Sequence, residues 1–492
     1  MRHAYHHEIT ESHLFQIEID GDPYTIYRVA KFDVPVHYVQ FSGIGARAVS
    51  LAVDRRIETA RVSPLRLNID TDIGAEEMHF TLPGPGYYVV QIDALEYLFI
   101  LYEASGAESF TPHAKNVLSV VTAGIAADGK AVETAALQAL IDRVSRDPAL
   151  DTLHFPPGLY RSGTLFLRDD VRLHLAKGAV LWGSDDVRDF PAQPDSANPD
   201  RERHSFLFAD RVRGASITGL GVIDGNGKSL KNQGLSATLL RIQDSADMAV
   251  DGPMLRDPAN WNTHIIGSEN VTFRNVKVIN NIPYVNWLNT DGINPDCSRH
   301  VLIENSLMHC GDDSFAVKGS VFTDRFQKKT QHITVRKAVC VSSCAALKIG
   351  TETRASEIGD IVFEDCDIVW ARRAMVIDAF DRADIHDVVF RNVFVEQLNE
   401  GPGIHDPVLV GLTIPERAFR PCAGETTVRN VAFEDVTALA PHPVILQGRT
   451  PDYAIRHVRF RNVTIAGRPL RDLDDPVMRS NQFVERVTFD GE

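Results

Sequence analysis

No stretch of this chain approaches 18 consecutive apolar residues, so none of it reads as a membrane-spanning helix. Positive charge is in short supply: 51 Lys and Arg stand against 66 Asp and Glu, a formal net charge of −15. Nucleic acids and anionic membranes are gripped by basic surfaces, so neither is an expected partner. A polyanionic sugar is not excluded, because a cleft can be locally basic on an acidic body. Cysteine is scarce, six in 492 residues, which is no disulfide scaffold. The start, Met1-Arg2-His3-Ala4-Tyr5-His6-His7, runs into Glu8 and Glu11 without an apolar signal-peptide core. The expectation is a cytoplasmic protein with reduced thiols. Leu-rich and Trp-Asp repeat signatures are missing too, which sets aside leucine-rich and WD-type arrays.

What the chain does have is a repeat. Val271-Thr272-Phe273-Arg274-Asn275-Val276 recurs as Val301-Leu302-Ile303-Glu304-Asn305, Ile333-Thr334-Val335-Arg336 and Ile361-Val362-Phe363-Glu364-Asp365. It returns at Val388, Val431, Val458 and Val487, with start-to-start steps of 30, 32, 28, 27, 43, 27 and 29 residues. Each unit alternates apolar with polar, so one face points into a shared core. A period of this length built from β-branched and aromatic strands signals a solenoid. Asn and Asp at the end of each unit suit tight corners and could stack into ladders. The expected fold is all-β, a right-handed parallel β-helix over residues 113–492. The 43-residue step marks an insertion near Gln397–Thr427.

Residues 1–112 carry short alternating runs such as Phe15–Ile19, Ile26–Val29 and Tyr87–Ile92, which predict a small antiparallel β-sandwich with an accessory or packing role. Between the two units, Glu133 to about Ser145 places Ala136, Leu137, Leu140 and Ile141 at helical spacing. A helix there would cap the first rung of the coil, whose backbone groups would otherwise be unpaired.

Within the repeat lie Asn289-Thr290-Asp291-Gly292 and Gly311-Asp312-Asp313, with Asp291 and Asp312 21 positions apart. On a parallel coil these acids fall on neighbouring rungs of one surface. Clustered carboxylates raise one another's pKa, so one can stay protonated while another stays ionised. Cleavage of a glycosidic bond needs that division of labour. Strand alternation would put Asp312 and Asp313 on opposite faces, so the chain must bend there.

Trp261-Asn262-Thr263-His264, Asn289-Thr290-Asp291-Gly292-Ile293 and Gly311-Asp312-Asp313-Ser314-Phe315-Ala316-Val317-Lys318, in that order, resemble the polygalacturonase-like glycoside hydrolases of family 28. Gly221-Val222-Ile223-Asp224-Gly225-Asn226-Gly227 and Asp128-Gly129 fit the same superfamily, and the resemblance covers about residues 115–490. It implies an inverting hydrolase of a pectin-type glycan without a cofactor or metal. Asp312 would be the general acid, with Asp291 and Asp313 activating water. Two family elements are absent: Ala345 stands where Gly-His-Gly carries its histidine, and Arg-Ile-Lys has no match at Arg372 and Arg373. Asn294 is neutral where relatives often have Asp.

Lys318, Lys348 and Arg373 are candidate replacement cations, or surface residues. Trp261, Tyr284 and Trp287 are candidate sugar platforms, or core aromatics. Asn262, His264, Asn289, His309 and Glu352 complete the expected substrate-binding set, each with a purely structural alternative. A neutral-glycan hydrolase, a polysaccharide lyase and a non-catalytic glycan-binding coil remain open, as does a homo-oligomer.

Overall fold

The computed structural model describes residues 9–282, 289–321, 328–399, 405–415 and 426–490. From Val117 onward the chain winds as a right-handed parallel β-helix, whose coils feed one 22-stranded and one 11-stranded sheet. Pairing within both sheets is parallel except where Ile455–Ile465 meets Arg468–Pro469. Register follows the repeat read from the sequence: Val271, Val301, Ile333, Ile361, Val388, Val431, Val458 and Val487 lie side by side.

Two columns of left-handed residues make the corners. Asn270, His300, His332, Asp360, Asp387, Asn430, His457 and Arg486 all have φ between 54° and 58°. Asn275, Asn305, Asp365, Asn392, Asp435 and Asn462 form the second column. Short polar side chains tolerate this conformation better than most. They also bridge rungs: Asn305 Nδ2 donates to Asn275 Oδ1 at 2.6 Å, and Asn392 Nδ2 to Asp365 Oδ1 at 2.7 Å. Inside, Phe363, Phe390, Phe433, Phe460 and Phe489 stack with centroids 5.0–5.3 Å apart. That spacing is close to the separation of hydrogen-bonded strands, about 4.8 Å, so identical residues at one register position stack without adjustment.

The helix Thr134–Arg146 lies over the first coils and buries Leu137, Ile141 and Val144. Ala136 is exposed and Leu140 half-buried, so the apolar stripe runs through Val144 instead. Cys310, Cys340 and Cys366 lie inside the coil, and all five described cysteines are buried free thiols.

Residues Ile9–Ala104 form two facing sheets, of six and five strands, around their own core. All their pairings are antiparallel except Val36–Gly43 beside Leu98–Ala104, which is parallel. The outer face of the six-stranded sheet packs on the coil, where Phe32, Tyr38, Tyr87 and Phe99 meet Val180, Val222, Ile279 and Val341. Buried ion pairs cross this junction. Lys31 Nζ lies 2.6 Å from both Asp224 and Asp257, and Lys277 Nζ lies 2.7 Å from Glu103.

Candidate active site

The 11-stranded sheet carries the site. Its strands Thr263–Ile266, Ile293–Asp296, Phe315–Gly319, Ala345–Thr353 and Arg373–Asp378 lie in consecutive rungs. Ile293, Phe315, Leu347 and Met375 are register partners and point into the core. Residues one position beyond them, Asn294 and Lys348 among these, therefore face outward. Asp291 and Asp313 precede their strands at a bend: the Gly292 N–H donates to Asp313 O and the Ser314 N–H to Ala345 O, both at 2.8 Å. Asp312 and Asp313 sit in the turn between Arg299–Cys310 and Phe315–Gly319, so strand alternation does not separate them.

The three carboxylates differ in their partners. Asp313 is fully engaged: Oδ1 accepts from the Ala345 N–H at 3.1 Å and Oδ2 from Lys348 Nζ at 2.7 Å. Asp312 accepts the Asn289 N–H at 2.7 Å and the Asp313 N–H at 3.0 Å, and alone of the three keeps partial exposure. Asp291 Oδ2 accepts from Asn294 Nδ2 at 2.9 Å, while its Oδ1 is buried without a hydrogen-bond partner.

These surroundings split the titrations. Burial pushes Asp291 well above the usual carboxylate range, reinforced by the charges on Asp312 and Asp313 and opposed by Lys318. Burial, then the neighbouring Asp313 charge, raises Asp312. Burial works against ionisation of Asp313 as well, but Lys348, Lys318 and Arg373 overcome it and hold that carboxyl low. The trio thus keeps one firm anion and two groups inclined to hold a proton.

Around them the expected cations are already paired. Lys348 reaches Asp378 at 3.9 Å as well as Asp313, and Arg373 donates to Asp378. Lys318 lies 3.0 Å from Glu352 and 4.9 Å from the centroid of Trp261. Burial disfavours the Glu352 anion, yet Lys318 brings its pKa down to about 2. Trp261 is half-buried and packs edge-on against His264, whose Nε2 lies 3.0 Å from Asp296. Asn289 is exposed at φ 82° and touches the site through its backbone N–H.

Two expectations need correction. His309 does not face the acids: its ring packs on Phe99 of the sandwich at 5.3 Å, and Nδ1 lies 3.1 Å from Asn280 O. It alternates with the inward Met308 and Cys310, which sends it to the sandwich-covered face. Burial pulls its pKa down to about 4. Asn262 is fully buried and donates to Asn280 Oδ1 at 2.9 Å. Asn280 in turn donates to Thr290 O at 2.8 Å and Asp291 O at 3.0 Å, so the pair props the turn that carries Asp291. Tyr284, Trp287 and about half of the insertion near Gln397–Thr427 (residues 400–404 and 416–425) lie outside the described residues.

Sequence reading missed Asp378, Asn280 and Lys231. Asp378 ends an apolar strand like many others, and Asn280 carries no motif. Lys231 sits on the short helix Gly227–Asn232, just after the Asp224–Gly227 stretch that reads as a turn. Burial lowers its pKa, while Asp312 and Asp291 pull it upward. Donor atoms of Asp312, Asp313 and Cys344 lie within 4.8 Å of one another. They suit a hard cation poorly: Lys348 already occupies Asp313, and burial pushes the Cys344 thiol well above its usual range.

Residues 192–471, more than half of the chain, match the sequence pattern of Glycosyl hydrolases family 28. The chain belongs to this family. The family-28 chain is accordingly a glycoside hydrolase. It is 28% identical to a probable polygalacturonase of Vitis vinifera over 56% of its own length and 57% of that protein. It is 24% identical to an exo-poly-alpha-D-galacturonosidase of Dickeya chrysanthemi over 76% of its length and 71% of that protein. A hyperthermoactive exopolygalacturonase from Thermotoga maritima superposes with a TM-score of 0.57 and 18% identity, covering 78% of this chain and 93% of that one. At that identity the likeness establishes the shared coil.

Proposed function

We propose that this family-28 hydrolase cleaves galacturonan-type oligo- or polysaccharides with inversion at the anomeric carbon. Asp312 protonates the leaving oxygen, and Asp291 and Asp313 hold and deprotonate the attacking water. The observation that carries the reading is the division within the trio: an ion-paired Asp313, a partly exposed Asp312 inclined to hold a proton, and a free Oδ1 on buried Asp291. A general acid must hold a proton at the working pH and lie within reach of substrate; the upward shift and the partial exposure of Asp312 support that role. Asp291 is raised by burial and in part by the Asp312 charge, which is gone once Asp312 holds its proton; ionised in that state, Asp291 offers its unpaired Oδ1 as acceptor of the water proton. The galacturonan substrate rests on the names of the grape and Dickeya relatives.

A second reading, a hydrolase of a neutral glycan, is favoured by one observation. Lys318, Lys348 and Arg373 each face a carboxylate of the protein, which reduces the positive charge left for a uronate. A cytoplasmic setting, in which short imported oligosaccharides would be the substrate, is part of the proposal and is tested by cell fractionation. The deciding experiment incubates the enzyme with defined uronic and neutral oligosaccharides and follows the first product anomer by NMR. Release of the inverted anomer from uronides supports the proposal. Turnover of neutral chains alone selects the second reading, and a retained anomer sinks the mechanism.

A further inference from the structure

We propose that the N-terminal sandwich forms part of the sugar site, its Lys31–Asp33 segment closing one side of a pocket that receives a single terminal sugar unit beside Asp291. The inference rests on the proposed function only in taking a glycan as ligand. A cavity of about 140 Å³ lies where Asp33 of the sandwich meets Lys228, Lys231, Asn232, Asn281 and Thr290 of the coil. A space of that order suits one sugar ring rather than a chain.

The sandwich segment is fixed at both ends. Lys31 is buried against Asp224 and Asp257. The Asp33 N–H donates to Asn281 Oδ1 at 2.9 Å, and its carboxylate lies 2.7 Å from Lys228. From there a short path reaches the acids: Thr290 Oγ1 donates to Asn281 O at 3.1 Å, and Thr290 precedes Asp291. Lys231 is close enough to feel the charges of both Asp312 and Asp291. Amides, a hydroxyl, a carboxylate and two ammonium groups around a space of one ring recognise a hydroxyl-rich unit, with Lys231 placed for an anionic substituent. A wall supplied by the sandwich would stop the groove after one unit, so release proceeds from a chain end.

Binding is measured by calorimetry in the Asp312→Asn background, with a tri-uronide and its carboxyl-reduced neutral counterpart. Asp33→Ala and Lys231→Gln are each expected to weaken tri-uronide binding about tenfold or more. Lys231→Gln should affect the neutral trisaccharide less. Affinities within twofold of the parent in both variants overturn the pocket even if galacturonan is the substrate. Absence of any saccharide binding to the parent overturns it too. Tight binding without turnover by the wild type sinks only the proposed chemistry. Should Asp33→Ala fail to fold, the isosteric Asp33→Asn takes its place, because Lys231→Gln on the coil's own helix tests the pocket and only an Asp33 variant tests the sandwich wall; affinity within twofold of the parent in that variant overturns the wall.

Discussion

Replacing Lys348 by Met isolates what a buried ammonium does for the acid trio. Nζ lies 2.7 Å from Asp313 Oδ2, and both side chains are almost completely buried. Unit charges about 4 Å apart at an effective dielectric near 20 attract by about 4 kcal/mol. Removing one member of a buried pair costs about 3–5 kcal/mol, much of it the desolvation of the orphaned partner. Lys318 and Arg373 remain nearby and favour the lower end, about 3 kcal/mol.

The sign follows from Asp313 being held low. Its pairing contributes stability that is present above the unfolded pKa and lost as pH falls through the folded one. Without Lys348, burial dominates and the folded pKa lies above the unfolded value. The variant is therefore penalised most near neutral pH and recovers relative to wild type in acid. The same 3 kcal/mol, about two decades of equilibrium at 1.4 kcal/mol each, would deplete the Asp313 anion and carry the acid limb of kcat/KM upward in pH. Lys348→Arg should restore the limb in part. Denaturant unfolding from pH 5 to 8 and a pH–rate profile read both effects. An unmoved acid limb with unchanged stability would refute the reasoning.

Asp291→Asn and Asp312→Asn are each expected to reduce kcat by at least about 10²-fold while leaving glycan affinity within a few-fold, read by steady-state kinetics and calorimetry. Because burial and neighbouring charge raise Asp312, activity should fall on the alkaline side as that proton is lost, and Asp313→Asn should move this limb to lower pH by removing the repelling anion. Phe433→Ala interrupts a continuous aromatic stack and should cost about 3–5 kcal/mol in chemical unfolding. Lys31→Met leaves Asp224 and Asp257 buried with one counter-charge fewer, so limited proteolysis should release the sandwich sooner, and an unchanged cleavage rate would count against that clamp.

The repeat was legible in the sequence because a parallel coil returns equivalent residues to one register at each turn. Val271 through Val487 could be aligned by eye, and their strands pair at those residues. The Asn and Asp corners were legible for the same reason. The three acids were legible as a group because their motifs flank strands on consecutive rungs. What a residue faces was harder to read. His309 lies next to the acid turn in sequence, yet alternation turns its ring toward Phe99 of a different unit. Asn262 stands in a family-like segment and spends its amide inside the coil on Asn280.

By itself, the sequence determined the coil, its capping helix and which rungs carry the carboxylates, since each follows from local period and composition. Only the tertiary structure decided which carboxylate is neutralised by Lys348, which keeps an unpaired oxygen, and that Asp33 of the sandwich meets Asn281 and Lys228 of the coil. Those outcomes depend on burial and on charges contributed from distant parts of the chain, such as Lys31 and Asp224, and no local pattern encodes that meeting.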